Sequence, residues 1–184
     1  ERLGSWKEAE EIASEVVAVG KQRKDEAMQA LGHYWLGRMQ SQRGELDGAL
    51  RENREAEKRY RALGTEYEAM VARVMGQIAD ILQARGQLDE ALRIRREESL
   101  PVYQKLGDIR SVAVTMGKIA DILQDRGQLD EALRIRREEE LPVYQKLGDI
   151  RLRAVTMGQI ADILAARGQL DEALRIRREE ELPV

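Results

Sequence analysis

The sequence has no cysteine, so disulfides, thiolate metal sites and a cysteine nucleophile are all excluded. Phenylalanine is absent, aromatic residues make up 4%, and there are three prolines. Neither sign of charge dominates. The 31 Lys and Arg meet 34 Asp and Glu, leaving a formal net charge of −3, so no overall field draws nucleic acid or an anionic membrane. No apolar run approaches the roughly 20 residues that span a bilayer, and no secretory signal pattern opens the chain. These absences together give the expectation of a cytoplasmic protein. The single histidine, His33, has no metal-ligand spacing, phosphate loop or nucleophile elbow beside it. No enzyme activity, cofactor or metal is therefore expected, and His33 reads as a partly buried packing or groove residue.

What the chain does have is repetition. Residues 76–116 and 117–157 are identical at 36 of 41 positions, differing at Gln77/Lys118, Ala84/Asp125, Ser99/Glu140, Ser111/Leu152 and Val112/Arg153. A further copy starts at Gly158 and stops at Val184, and the chain opens at Glu1 without Met, so both ends are expected to be cuts in something longer. Gly4, Gly44, Gly86, Gly127 and Gly168 fall 40, 42, 41 and 41 residues apart and read as turn glycines. A fixed period in this range marks a stacked array in which no unit buries its apolar face alone.

Each period reads as two helices. Over residues 108–126, Ile109, Val112, Ala113, Met116, Ile119, Ala120 and Leu123 recur at spacings of three and four. Gly127 ends that helix. A second opens near Asp130, with Leu129, Ala132, Leu133, Ile135, Tyr144 and Leu147 as its apolar positions. Gly148 closes it, and Asp149 is placed to cap the next helix. Pro142 lies inside the second helix, as do Pro101 and Pro183 in theirs, and predicts a bend or brief break there. Residues 7–19 read as a leftover second helix. The expected fold is all-α, an alpha-alpha superhelix or solenoid of tandem antiparallel hairpins with about eight helices. A partial repeat at 1–22 is followed by hairpins at 23–64, 65–106, 107–147 and 148–184, the last one truncated.

The segment Ile119-Ala120, Leu123, Gly127, Leu129, Asp130-Glu131 and Ala132-Leu133 resembles the core of a tetratricopeptide repeat. The resemblance implies close packing of a small residue in one helix against a small residue in the next. Ala79 with Ala91, Ala120 with Ala132 and Ala161 with Ala173 match those roles, and Gly86, Gly127 and Gly168 match the turn. Trp6-Lys7-Glu8-Ala9 and Leu46-Asp47-Gly48-Ala49 look like divergent versions of the same turn. The period is longer than the common repeat of roughly 34 residues, and Met116, Ile119 and Leu123 stand where the family usually has large aromatics. With its Leu147-Gly148-Asp149 helix end, the chain is similar to the long repeats of kinesin light chain and of bacterial signalling-ATPase arrays.

The family generally binds peptide segments in a groove lined by its first helices. That geometry puts Gly76, Asp80 and Gln83, then Gly117, Asp121 and Gln124, then Gly158, Asp162 and Ala165 on the groove side. One reading is an acidic ladder that favours a basic or amide-rich protein or peptide, with glycines that let a partner's backbone come close. The other is that the aspartates are solvated, or pair with a neighbouring hairpin, and were copied by duplication. The Arg134, Arg136, Arg137, Glu138, Glu139 and Glu140 run reads as a solvated outer face. Tyr34, Trp35 and Tyr60 fill an irregular hairpin or form an anchoring pocket. The functional expectation is a protein-protein interaction scaffold. The alternatives are a sensor or autoinhibitory repeat domain of a larger bacterial signalling ATPase, and a self-stacking array that associates end to end.

Overall fold

The computed structural model describes the backbone of residues 2–181 and the side chains of residues 7–178. Among these residues every regular element is helical. Helix α1 spans Arg2–Arg23, α2 Glu26–Gln42, α3 Leu46–Leu63 and α4 Glu68–Ala84, with a short 3-10 turn at Thr65–Tyr67. Then come α5 (Leu88–Ile94), α6 (Leu100–Lys105), α7 (Ile109–Asp125), α8 (Leu129–Ile135), α9 (Leu141–Leu147), α10 (Ile150–Ala166) and α11 (Leu170–Glu181). The chain divides into two compact units, one ending at Val102 and the other starting at Tyr103. In the first unit α2 packs on α1 and α3, and α4 on α3 and α5; in the second α7 packs on α8, and α10 on α11.

Punctuation at the helix ends is local chemistry. At Gly127 (φ 74°) the amide donates to Gln124 C=O at 2.9 Å, and Gln128 N–H reaches back to Leu123 C=O at 2.8 Å. This left-handed closure satisfies carbonyls that the helix end leaves without partners. Asp108 and Asp149 then cap α7 and α10, their carboxylates accepting from Ser111 N–H and Leu152 N–H at 3.0 Å each. Between α1 and α2 the left-handed position is held by Lys24 (φ 56°), directly before the capping Asp25. Gly4 and the stretch 6–9, expected at turns, lie inside α1 instead.

The prolines do not break their helices. Arg95–Ser99, ahead of Pro101, and Arg136–Glu140, ahead of Pro142, each wind as one π-helical turn, so α5 runs on into α6 and α8 into α9. A π-turn gives up regular i→i−4 bonding over a few residues. It thereby absorbs locally the bond that a proline cannot donate. The corresponding stretch of α11 stays α-helical, and Pro183 lies outside the described residues.

The core is aliphatic and thin. Ile78, Ile81 and Leu82 of α4 are buried, as are Ile119, Ile122 and Leu123 of α7 and Ile160, Ile163 and Leu164 of α10. Ala79 and Ala91, Ala120 and Ala132, and Ala161 and Ala173 are buried in the paired helices of their hairpins, where a small side chain lets backbones approach. Ile109 and Ile150, at the first turns of α7 and α10, are exposed.

Candidate functional site

The residues expected on the groove sit on α4 in the first unit and on α7 and α10 in the second. Each ladder aspartate has an arginine from the second helix of its own hairpin, 15 residues further on. Arg95 Nη2 donates to Asp80 Oδ1 at 2.7 Å, Arg136 pairs with Asp121, and Arg177 Nη2 donates to Asp162 Oδ1 at 2.5 Å. Lys118 adds a looser contact to Asp121 at 3.8 Å. The negative charge of the ladder is thus countered within each hairpin, which weakens the attraction expected for a basic partner.

Gly76, Gly117 and Gly158 are buried. A Cβ on Gly76 would meet Arg95 Nη1 at 2.7 Å, and one on Gly117 would meet the Glu140 carboxylate. Both glycines are needed for close approach, but the approaching group is the chain's own second helix rather than a ligand backbone. Gln83 and Gln124 are half-buried, while Ala165 is exposed.

These contacts correct the reading of the Arg and Glu run as wholly solvated. Arg136 is 1% exposed and Glu140 5%. Arg136 Nη1 donates to Glu140 Oε2 at 2.7 Å while its other amine holds Asp121. Burial pushes the Glu140 carboxyl above the ordinary carboxylate range; Arg136 and a hydrogen bond from Thr156 pull the other way, and the nearby Asp121 charge raises it further. One repeat earlier Ser99 replaces Glu140 and bonds Ala72 C=O at 3.2 Å, and Arg95 lies against Gly76. Spacing held the signal. Ala132, Arg136, Glu140 and Tyr144 follow at intervals of four, which places them on one helical face with two buried apolar residues at its ends. Arg134 remains outside, bonded to Glu139 at 2.7 Å.

Two concave features lie in the first unit. The side-by-side first helices α2 and α4 enclose an open polar hollow of about 260 Å³ lined by Arg38, Ser41, Gln42, Gln77 and Asp80. Gln77 Oε1 is enclosed there without a protein hydrogen-bond partner. Arg38 occupies in α2 the repeat position that Asp80 occupies in α4, so this hollow carries both signs of charge. Between α1 and α2, an almost wholly apolar cleft of about 300 Å³ is walled by Ala9, Ile12, Ala13, Val16, Leu31, Trp35 and Met39. The aromatics divide accordingly. Tyr34 and Tyr60 are buried, whereas Trp35 is 43% exposed, with the Arg38 guanidinium 5.2 Å from its ring centre. His33 Nδ1 donates to Glu52 Oε2 at 2.7 Å and links α2 to α3.

Tandem antiparallel hairpins, small-residue helix contacts and left-handed glycine turns define the class as a helical-repeat array. Profiles of the tetratricopeptide repeat match residues 70–139, 30–54 and 160–179, together more than half of the sequence. The chain belongs to the tetratricopeptide repeat family. No curated protein matches it in sequence. In fold it is similar to a Podosopora anserina putative kinesin light chain with nearly identical TPR-like repeats (20% identity, TM-score 0.75, covering 97% of this chain and 87% of that one). It is similar also to BtubC (BKLC) from P. vanneervenii (16% identity, TM-score 0.78, 95% and 72%). Aspartyl phosphate phosphatase F from Bacillus subtilis shares the fold over 86% of this chain but only 43% of its own (12% identity, TM-score 0.76). Among the described residues no helix is long and apolar enough to cross a membrane.

Proposed function

We propose that the chain is a protein-interaction scaffold that holds a peptide segment along its first helices, in the hollow between α2 and α4. One observation carries this reading. Two neighbouring first helices present Arg38, Ser41, Gln42, Gln77 and Asp80 around an open polar space, a set that can donate to and accept from a peptide backbone. Gln77 lines the hollow and its side-chain oxygen is buried without a protein hydrogen-bond partner; turning that amide outward would offer it to an incoming N–H, and an unsatisfied buried acceptor gains most from such a bond. Arg38 and Asp80 give the hollow opposite charges, so it suits an amide-rich segment with a basic residue near Asp80 and an acidic one near Arg38.

Display of random peptides against the immobilised chain tests the reading. Enriched peptides are expected to lose at least about tenfold in affinity, or 1.4 kcal/mol, with the Arg38→Ala, Gln77→Ala double variant. Replacing Asp80, Asp121 and Asp162 by Asn is expected to lower the preference for basic peptides only modestly, because the arginines already counter those charges. Enriched peptides that bind wild type and the double variant equally would place the binding face elsewhere.

A further inference from the structure

We propose that Glu140 is a proton-operated latch between its own hairpin and α10, closed when its carboxyl supplies the proton it shares with the Thr156 hydroxyl and loosened when it does not. The latch sits where three elements meet. Glu140 ends the π-turn Arg136–Glu140, and both α7 and α10 pack on that turn. Its carboxylate fills the space that Gly117 leaves on α7, where a Cβ would meet both oxygens.

Charged and polar groups face it from every side. On its own helix, Arg136 donates to Glu140 Oε2 at 2.7 Å, and buried Tyr144 follows one turn on. From α7 come Asp121, which Arg136 also holds, and Lys118, 3.8 Å from Asp121. From α10 comes the hydroxyl of buried Thr156. Arg110 and Asp149, which act on Tyr144, pair with each other at 2.8 Å. At the same position in the preceding repeat Ser99 has no acid to titrate, so only one of the twin repeats carries the latch.

Thr156 makes the junction respond to a proton. Its Oγ1 donates to Leu152 C=O at 2.9 Å, one turn back on α10, and it is also a hydrogen-bond partner of Glu140. A hydroxyl has one proton to give and two lone pairs with which to accept. With Glu140 ionised, that proton serves either the carboxylate or Leu152, never both. With Glu140 protonated, the carboxyl O–H donates to Thr156 while Thr156 donates to Leu152. A continuous relay then ties the π-turn to the backbone of α10, with one more hydrogen bond in a buried junction. Burial first, and the Asp121 charge after it, favour this form against the pull of Arg136 and of the Thr156 hydroxyl. Asp121 feels the same event. A neutral Glu140 leaves Arg136 to Asp121, whereas an ionised one shares the arginine, and α7 gains negative charge on its ladder side.

Carboxyl-carbon NMR of the glutamate-labelled full chain, followed through a pH titration, tests the latch. One glutamate resonance is expected to titrate above the ordinary carboxylate range and to vanish in Glu140→Gln. Glu140→Ser, which places there the residue of the preceding repeat, makes the same assignment if the amide disturbs folding. Backbone resonances of Leu152 and Thr156 are expected to move with that midpoint and to lose the transition in both variants. Asp121→Asn removes a like charge and leaves Arg136 to Glu140, so it should lower the midpoint. Amide exchange along α10, corrected for its intrinsic pH dependence, should quicken by roughly two- to tenfold on the ionised side, the worth of one hydrogen bond, and stay level in Glu140→Gln. A Glu140 that titrates with the exposed glutamates overturns the proposal. So does a raised midpoint that Leu152 and Thr156 ignore, because the carboxyl would then titrate without working the relay. A midpoint that Asp121→Asn leaves in place overturns it as well.

Discussion

Arg136 carries much of its hairpin's polar packing at the scale of single residues, because it bridges two carboxylates, one of them buried. Removing one partner from a buried charge pair leaves the other uncompensated, at a cost of roughly 3–5 kcal/mol. Arg136→Ala is expected to lower stability in that range by chemical denaturation. Arg95→Ala should cost about 1–3 kcal/mol, because Ser99 replaces the buried acid and Asp80 is half-exposed. Replacing Arg136 and Glu140 together by Met and Leu should recover most of the loss. The raised Glu140 carboxyl also sets a pH dependence. The folded state binds its proton more tightly than the unfolded state does, so this contribution is full below the ordinary carboxylate range and lost as pH rises through the raised value. Wild type should therefore lose stability relative to Glu140→Gln over that window, read as a falling difference in denaturation midpoint. Lys24 supplies the simplest residue-scale gain. It holds a left-handed conformation that costs a side-chain-bearing residue about 1–2 kcal/mol, and Lys24→Gly should stabilise the chain by up to about 1 kcal/mol after the added entropy of the unfolded glycine.

Among elements, the capped first helices and the π-turned second helices behave differently. Asp108 accepts from both the backbone and the hydroxyl of Ser111, and Asp108→Ala should cost about 1 kcal/mol in thermal or denaturant unfolding. Asp149 is held below the ordinary carboxylate range first by the Leu152 N–H and then by Arg110 at 2.8 Å. Its contribution is present above the ordinary range and fades as pH falls through the depressed value, opposite in sign to that of Glu140. The helices themselves were legible in the sequence, since apolar spacing, turn glycines and cap aspartates all act within a few residues of where they are written. Legibility ended where one helix meets another. Asp80 and Asp121 read as groove charges because nothing in α4 or α7 announces an arginine 15 residues on. The run from Arg134 to Glu140 read as solvated because charge usually is, although the interval of four from Ala132 to Tyr144 pointed inward. Pro142 signalled a disturbance, but a π-turn and a break look the same in sequence.

For the molecule as a whole, most charges among the described residues are matched close to where they stand, within one helix, as with Arg93 and Glu90 at 2.8 Å, or between successive hairpins, as with Arg167 and Asp130 at 2.7 Å. Isolated exposed pairs of this kind add little stability, about 0–1 kcal/mol each. They do leave little field for a polyanion. The chain is expected to pass a heparin column at physiological salt without retention, and retention that weakens steeply with added salt would reveal a basic face.

The arginine–aspartate link has a consequence for how twin repeats find the right partner. Residues 76–116 and 117–157 are so alike that the first helix of one could accept the second helix of the other while the chain is still collapsing. Each link closes over only 15 residues, whereas pairing Arg95 with Asp121 or Arg136 with Asp80 would close a longer loop, costing roughly 0.5–1 kcal/mol more in entropy. Proximity along the chain therefore sorts the identical copies, and fidelity of assembly comes from loop length where sequence offers no distinction.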